Sequence, residues 1–180
     1  GAGDMHMQDL ADALGSGVLA VMKTFGVNLT QAGAALAVFG DNNIRGAQAA
    51  TYLRQAVQSI SDPSVNASVA LGKIHLTVQQ LQGALAKGGL TGALDELQSH
   101  FEASGIAANR WGDVLEQAFT KKAGTGITIL LEQFGRYQLK QAEIAEGAQN
   151  FGNDWAATTK NLSFEWNRLT SDGEVLTIKL

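Results

Sequence analysis

At 180 residues the chain has room for one domain with a real core, or for a domain plus an extended arm. It contains no cysteine, which excludes disulfide staples and thiolate metal sites. Its net charge of −4 argues against sequence-independent binding to nucleic acid, which relies on Lys and Arg neutralising phosphates.

Hydrophobic residues make up 45% and charged residues only 17%, because alanine, glycine and glutamine stand where a soluble helix usually carries Lys and Glu. Residues 1–120 hold 6 basic and 10 acidic side chains and residues 121–180 hold 7 of each, so neither part is a polyelectrolyte. One proline in the whole chain favours uninterrupted helices over a loop-rich fold. No apolar run reaches the roughly 18 residues of a membrane-spanning helix, and no signal peptide is visible. Gly1-Ala-Gly-Asp4 opens without a native start, so the chain is expected to be a piece of a longer protein whose targeting it does not reveal.

Met7, Leu10, Leu14, Val18, Met22 and Phe25 recur at spacings of three or four, one face of a helix. Gly15-Ser-Gly17 interrupts them, and two glycines there cost about 2 kcal/mol relative to alanine, which predicts a bend or two short helices. From Phe25 to Pro63 the pattern predicts a helix pair on which the rest of the chain docks. Thr30 is placed as an N-cap, Leu36 and Phe39 lie on the first helix, and Tyr52, Leu53, Val57 and Ile60 on the second. Asp62-Pro63 ends the second helix, because proline disfavours the helical region for the residue before it.

A shared joint recurs at Gly26-Val-Asn-Leu-Thr30, Gly72-Lys-Ile-His-Leu-Thr77 and Gly105-Ile-Ala-Ala-Asn109. In each, a glycine can take the left-handed conformation that ends a helix, an apolar residue plugs the corner, and Thr or Asn caps the next helix. Residues 64–72 and 78–86 predict two short helices. Lys87-Gly-Gly-Leu-Thr-Gly92 is a break, with Thr91 placed to cap a helix carrying Leu94, Leu97 and Phe101. Trp111, Leu115 and Phe119 mark the next helix, with Trp111 in the core, and Lys121-Lys-Ala-Gly-Thr-Gly126 is the second glycine-rich break.

From Ile127 onward Leu130, Leu131, Phe134 and Tyr137 make a broad apolar face that continues through Leu139 and Ile144. Trp155, Leu162, Leu169 and Leu176 then recur seven residues apart, with Trp166 on the same side. That spacing suits a helix winding against a partner helix, although Thr159 and Gly173 spoil the second seam position. Two fates are open to this arm: pairing with another copy or another protein, or docking on its own domain. The expectation is an all-α chain with no strands, comprising a compact multi-helix domain over residues 1–126 with glycine-containing corners and a long helical hairpin or extended arm over 127–180, its heptad spacing suggesting a coiled coil. The candidate partner or oligomer contacts are Trp155, Leu162, Trp166, Leu169 and Leu176.

The ordered set Asp9-Leu-Ala-Asp-Ala-Leu-Gly15 with Gly17-Val-Leu19, Ala32-Gly-Ala-Ala-Leu36, Ala49-Ala50 with Leu53-Arg54, and Asp62-Pro63 resembles tail tape measure proteins of long-tailed bacteriophages, in the helical central region of the actinobacterial phage and prophage type. Gly88-Gly-Leu-Thr-Gly-Ala-Leu-Asp-Glu-Leu97 and Gly124-Thr-Gly-Ile127 leading into Leu130-Leu131 continue it, so it covers most of the chain. One departure is Phe119-Thr-Lys-Lys-Ala123, where the family more often has phenylalanine followed by glycines and a basic residue. The resemblance implies a structural protein of the virion, built in the host cytoplasm and lying along the tail lumen. Its length sets tail length, tail tube subunits polymerise around it with tail assembly chaperones, and it leaves ahead of the DNA.

Sites of chemistry do not emerge. Neither glycine-rich break has the Gly-Lys-Ser/Thr order or the preceding strand of a phosphate loop. His6, His75 and His100 are too far apart for local zinc ligation, and Gly15-Ser-Gly17 is too short for a nucleophile turn. Asp95, Glu96, Glu116, Glu132, Glu143 and Glu146 match solvated helix faces rather than a paired-carboxyl cleft. No enzyme and no cofactor are expected. The rival function is a membrane-active helical protein, using 127–145 and 151–169 on a bilayer during ejection, with a cell-wall-degrading enzyme ranked behind it. Polar faces rich in Gln, Asn and Thr rather than Lys and Arg weaken that reading.

Overall fold

The computed structural model describes residues 19–150. Every regular element among them is helical: α1 Leu19–Thr24, α2 Leu29–Asp41, α3 Gly46–Ser61, α4 Val65–Gly72, α5 Val78–Ser104, a 3-10 turn at Ala108–Arg110, α6 Trp111–Ala118, α7 Lys121–Glu132 and α8 Phe134–Asn150. The all-α class expected from the sequence is the class observed. The predicted bend at Gly15-Ser-Gly17 lies outside the described residues.

Helix α2 is the enclosed element. Every residue from Gln31 to Phe39 is buried, and a helix apolar on all sides is stable only when other elements cover all of it. Its alanines and Gly33 keep it thin, so α3, α5 and α7 all pack on it. A Cβ on Gly33 would lie 3.2 Å from Ile144 Cδ1, which places α8 on the remaining side. Helix α3 presents Ala49, Ala50, Leu53, Ala56, Val57 and Ile60 as one stripe to this core and touches α1, α2, α5 and α7. It stops at Ser61, with Asp62 in a non-helical conformation ahead of Pro63 as expected.

The corners follow the expected grammar with different residues in some roles. Gly26 and Gly105 are left-handed, at φ 71° each. At the Gly72–Thr77 joint Gly72 stays helical and His75 takes the left-handed position at φ 56°, and Asn43 does so at φ 60° after α2. At Gly26, Asn43 and His75 the next N–H reaches back five residues: Val27 to Met22 O at 2.9 Å, Ile44 to Phe39 O at 2.9 Å, and Leu76 to Leu71 O at 3.1 Å. After Gly105 the Ile106 N–H donates instead to the Ser104 hydroxyl at 3.2 Å. The buried apolar plugs Val27 and Leu76 then hold the chain to the core.

Capping differs likewise. Asn28, not Thr30, caps α2 by accepting from Gln31 N at 2.8 Å, and Thr30 lies inside the helix. Asn leads Thr as an N-cap, and Asn28 directly follows the Gly26–Val27 corner. Thr77 caps α5 as predicted, in a reciprocal box with Gln80. Asn109 falls in the 3-10 turn and caps nothing. Trp111 is half-buried, stacked on Phe101 at 4.8 Å between ring centroids, with its indole N–H donating to Ile106 O at 2.9 Å.

The segment Lys121–Gly126 is no break: it is the first half of α7, capped by Thr120. Its glycines serve close packing, since a Cβ at Gly124 would lie 2.9 Å from Glu116 Cα and one at Gly126 would touch Phe39 and Tyr52 at 3.5–3.6 Å. The chain forms two units, Gly1–Ile144 and Ala145–Leu180. Residue 126 lies within α7, and Ile127, Leu130, Leu131, Phe134 and Tyr137 are buried in the core of the first unit.

These three uses of glycine separate in stability. Gly26→Ala should lower stability by about 1–2 kcal/mol through the left-handed backbone alone, because its Cβ meets nothing within 4 Å. Gly72→Ala, helical and unobstructed, should raise it by up to about 1 kcal/mol. Gly124→Ala should lower it by about 1–3 kcal/mol from overpacking against the α6 backbone. Urea melts followed by circular dichroism measure all three.

Candidate functional site

Groups able to do chemistry are scattered. Among the described residues no three of His, Cys, Asp and Glu converge as a metal site. His75 is exposed at its corner. His100 Nδ1 donates to Ile74 O at 3.1 Å, and Nε2 lies 3.4 Å from Glu96 Oε1, so its ring braces α5 against the α4–α5 corner. Asp95, Glu116, Glu132, Glu143 and Glu146 are exposed on helix faces. A groove of about 530 Å³ is lined by Lys23, Phe25, Ser61, Gln82 and Leu85, among others. Among the described residues no acid–base pair forms around Ser61: Gln82 Nε2 donates to Ser61 O at 2.7 Å, and the Ser61 hydroxyl has no base beside it.

The polar groups that do converge hold helices in place. Within α5, Gly89 adopts φ 62° and ψ −150°, a conformation essentially reserved for glycine, and the helix kinks there. The buried Gln31 side chain spans the kink: its Nε2 donates to Gly88 O at 3.0 Å and its Oε1 accepts from Leu90 N at 3.0 Å. One carboxamide thus satisfies two backbone groups that the kink removes from the helical ladder. A Cβ on Gly89 would collide with Gln31 Oε1 and lie 2.9 Å from Gly26 O. The expected break at Lys87–Gly92 is therefore present, but Thr91 does not cap a helix after it. Thr91 instead donates to Gln141 Oε1 at 3.0 Å and accepts from the Tyr137 hydroxyl at 3.1 Å, tying α8 to the kink. Burial pushes the Tyr137 phenol above its ordinary pKa, against a smaller lowering by Thr91, so its proton stays in place.

The other end of α2 carries a charged junction. Arg136 Nε donates to Asp41 Oδ2 at 2.8 Å, and Lys140 Nζ lies 3.8 Å from the same oxygen with its side chain 8% exposed. Asn42 caps the helix end through Val38 O and accepts from Gln133 Nε2 at 3.0 Å. Sequence reasoning missed Gln31, Asp41 and Lys140. Lys140 carried a signal, since it shares the face of Tyr137 and Ile144 at helical spacing.

The family model of phage-related minor tail proteins matches residues 2–120. The chain belongs to that family. Searches of characterised proteins and of solved structures gave no match. For a tail protein the surfaces that matter are those offered to neighbours. The predicted contacts Trp155, Leu162, Trp166, Leu169 and Leu176 lie outside the described residues. Within them, Val65 and Val69 are 92% and 72% exposed one turn apart on α4, and Leu139 is 65% exposed on α8. No helix among the described residues is long and apolar enough to cross a membrane.

Two sets of variants probe the junctions. Gln31→Leu should cost about 2–3 kcal/mol, leaving Gly88 O and Leu90 N unpaired. Gln31→Glu should fold best in acid, where a protonated carboxyl can still donate to Gly88 O. Its folded pKa rises above the unfolded value of about 4.3, so its stability is full below that value and falls as pH climbs through the folded pKa. Thermal melts between acid and neutral pH read this directly. At the other junction Asp41→Asn should cost about 3 kcal/mol by stranding the buried Lys140 charge, whereas Lys140→Met should be close to neutral. Equal losses in the two chemical melts would contradict that account.

Proposed function

We propose that this minor tail protein segment is part of a tape measure protein, lying along the tail lumen and setting tail length while tube subunits polymerise around it. The observation that carries the reading is an all-helical chain whose family match runs across the glycine-cornered helices. An α-helix advances about 1.5 Å per residue, so a mostly helical protein converts residue count into length. The low charge suits a surface that must move past tube subunits without strong ion pairing. In this reading the protein is assembled in the host cytoplasm with tail assembly chaperones, leaves the virion ahead of the DNA, and acts without enzymatic chemistry or a cofactor. The heptad-spaced Trp155, Leu162, Leu169 and Leu176, with Trp166, are its proposed contacts with another copy or a tail partner.

Deleting α5 in frame from the phage gene removes 27 residues, which drawn out as one continuous helix span about 40 Å, and electron micrographs should then show tails shorter by up to that length. Tails of unchanged length would remove the ruler from the proposal.

A further inference from the structure

The kink at Gly89 does more than redirect a helix. Leu81 and Leu85 precede it and Leu90 and Leu94 follow it, and all four are buried in one core. Leu81 and Leu90 are nine positions apart, as are Leu85 and Leu94, which on a straight helix sets them about 180° from one another. The two arms of α5 can therefore share a core only while the helix is folded back. Gly92 makes that possible, because a Cβ there would lie 2.6 Å from Ala84 O, in the other arm. In a straight helix those two positions are separated by about 12 Å.

The fold-back depends on one backbone conformation and one side chain. Every residue of α5 other than Gly89 has helical φ/ψ. The two backbone groups freed at the kink are held by Gln31 from α2, outside α5 itself. Releasing Gln31 and rotating Gly89 would yield one helix of 27 residues, about 40 Å long, with leucine stripes on opposite faces. One molecule cannot cover both stripes, since its own α1–α4 would stay with the first arm and α6–α8 would leave with the second. A second copy opened in the same way covers them with the same residues, through contacts each chain already makes within itself.

We infer that Gly89 is a hinge through which two copies of this chain exchange the half beginning at Leu90, giving a domain-swapped dimer built on two straightened α5 helices. The exchange does not depend on the tape measure reading or on the heptad-spaced residues.

Gly89→Ala tests it, because alanine is strained at φ 62° and is the best former of a continuous helix. The full chain has no cysteine, so the exposed Gln79→Cys and Glu102→Cys carry spin labels at unique positions. Light scattering after gel filtration should show the mass of Gly89→Ala doubled, and the intrachain label distance should lengthen to about 35 Å, from a clearly shorter wild-type value. A folded Gly89→Ala monomer overturns the inference. So does a dimer that keeps the short label distance, because that dimer would form through another surface. If circular dichroism shows Gly89→Ala unfolded, the labelled wild-type chain refolded at millimolar concentration decides. A slowly dissociating dimer with the long distance supports the hinge, and a population of short-distance monomers alone overturns it.

Discussion

The carboxamide of Gln31 is the contact on which the arrangement turns. It stands on a helix buried along nearly all its length, so it has no water to turn to, and it faces the kink where the helical ladder of α5 is broken. A buried amide and a pair of orphaned backbone groups are each unfavourable alone. Placed against one another they cancel, and the direction of α5 follows. Because α6 and α7 come after α5 in the chain and pack back on α4, α3 and α2, that direction fixes where the second half of the molecule meets the first.

Helix α2 is thus held at two ends by polar contacts and along its middle by dispersion. Asn28 and Gln31 act at the start, and Asp41 and Asn42 at the finish, where Arg136, Lys140 and Gln133 meet them. Between them alanine and glycine allow backbones to approach closely, which is where a chain with few large side chains finds its packing density. The polar ends fix the axial position of α8 along α2, which smooth alanine faces would not specify.

Periodicity carried most of the helices: the stripes on α3, α6 and the second arm of α5 were plain at spacings of three and four. Local chemistry carried the Gly26 and Gly105 corners, the Thr77 cap and the stop at Pro63. Glycine was the ambiguous letter. Gly72, Gly89 and Gly124 look alike in the sequence, yet one is an ordinary helical residue, one is a kink, and one admits a neighbouring backbone. The distinction depends on what lies across the core, which no local window contains. The same limit hid the Gln31 and Asp41 contacts, whose partners are 57 and 95 positions away.

The helix lengths have a mechanical consequence. Isolated helices shorter than about 12–15 residues are marginal in water. Helices α1, α4 and α6, at 6, 8 and 8 residues, therefore exist only by leave of their neighbours. Tension that undid the packing would melt these first, lengthening each from about 1.5 to about 3.4 Å per residue. The longer helices would outlast them, so a stretched chain would yield in steps at its shortest coils while the rest still held their pitch.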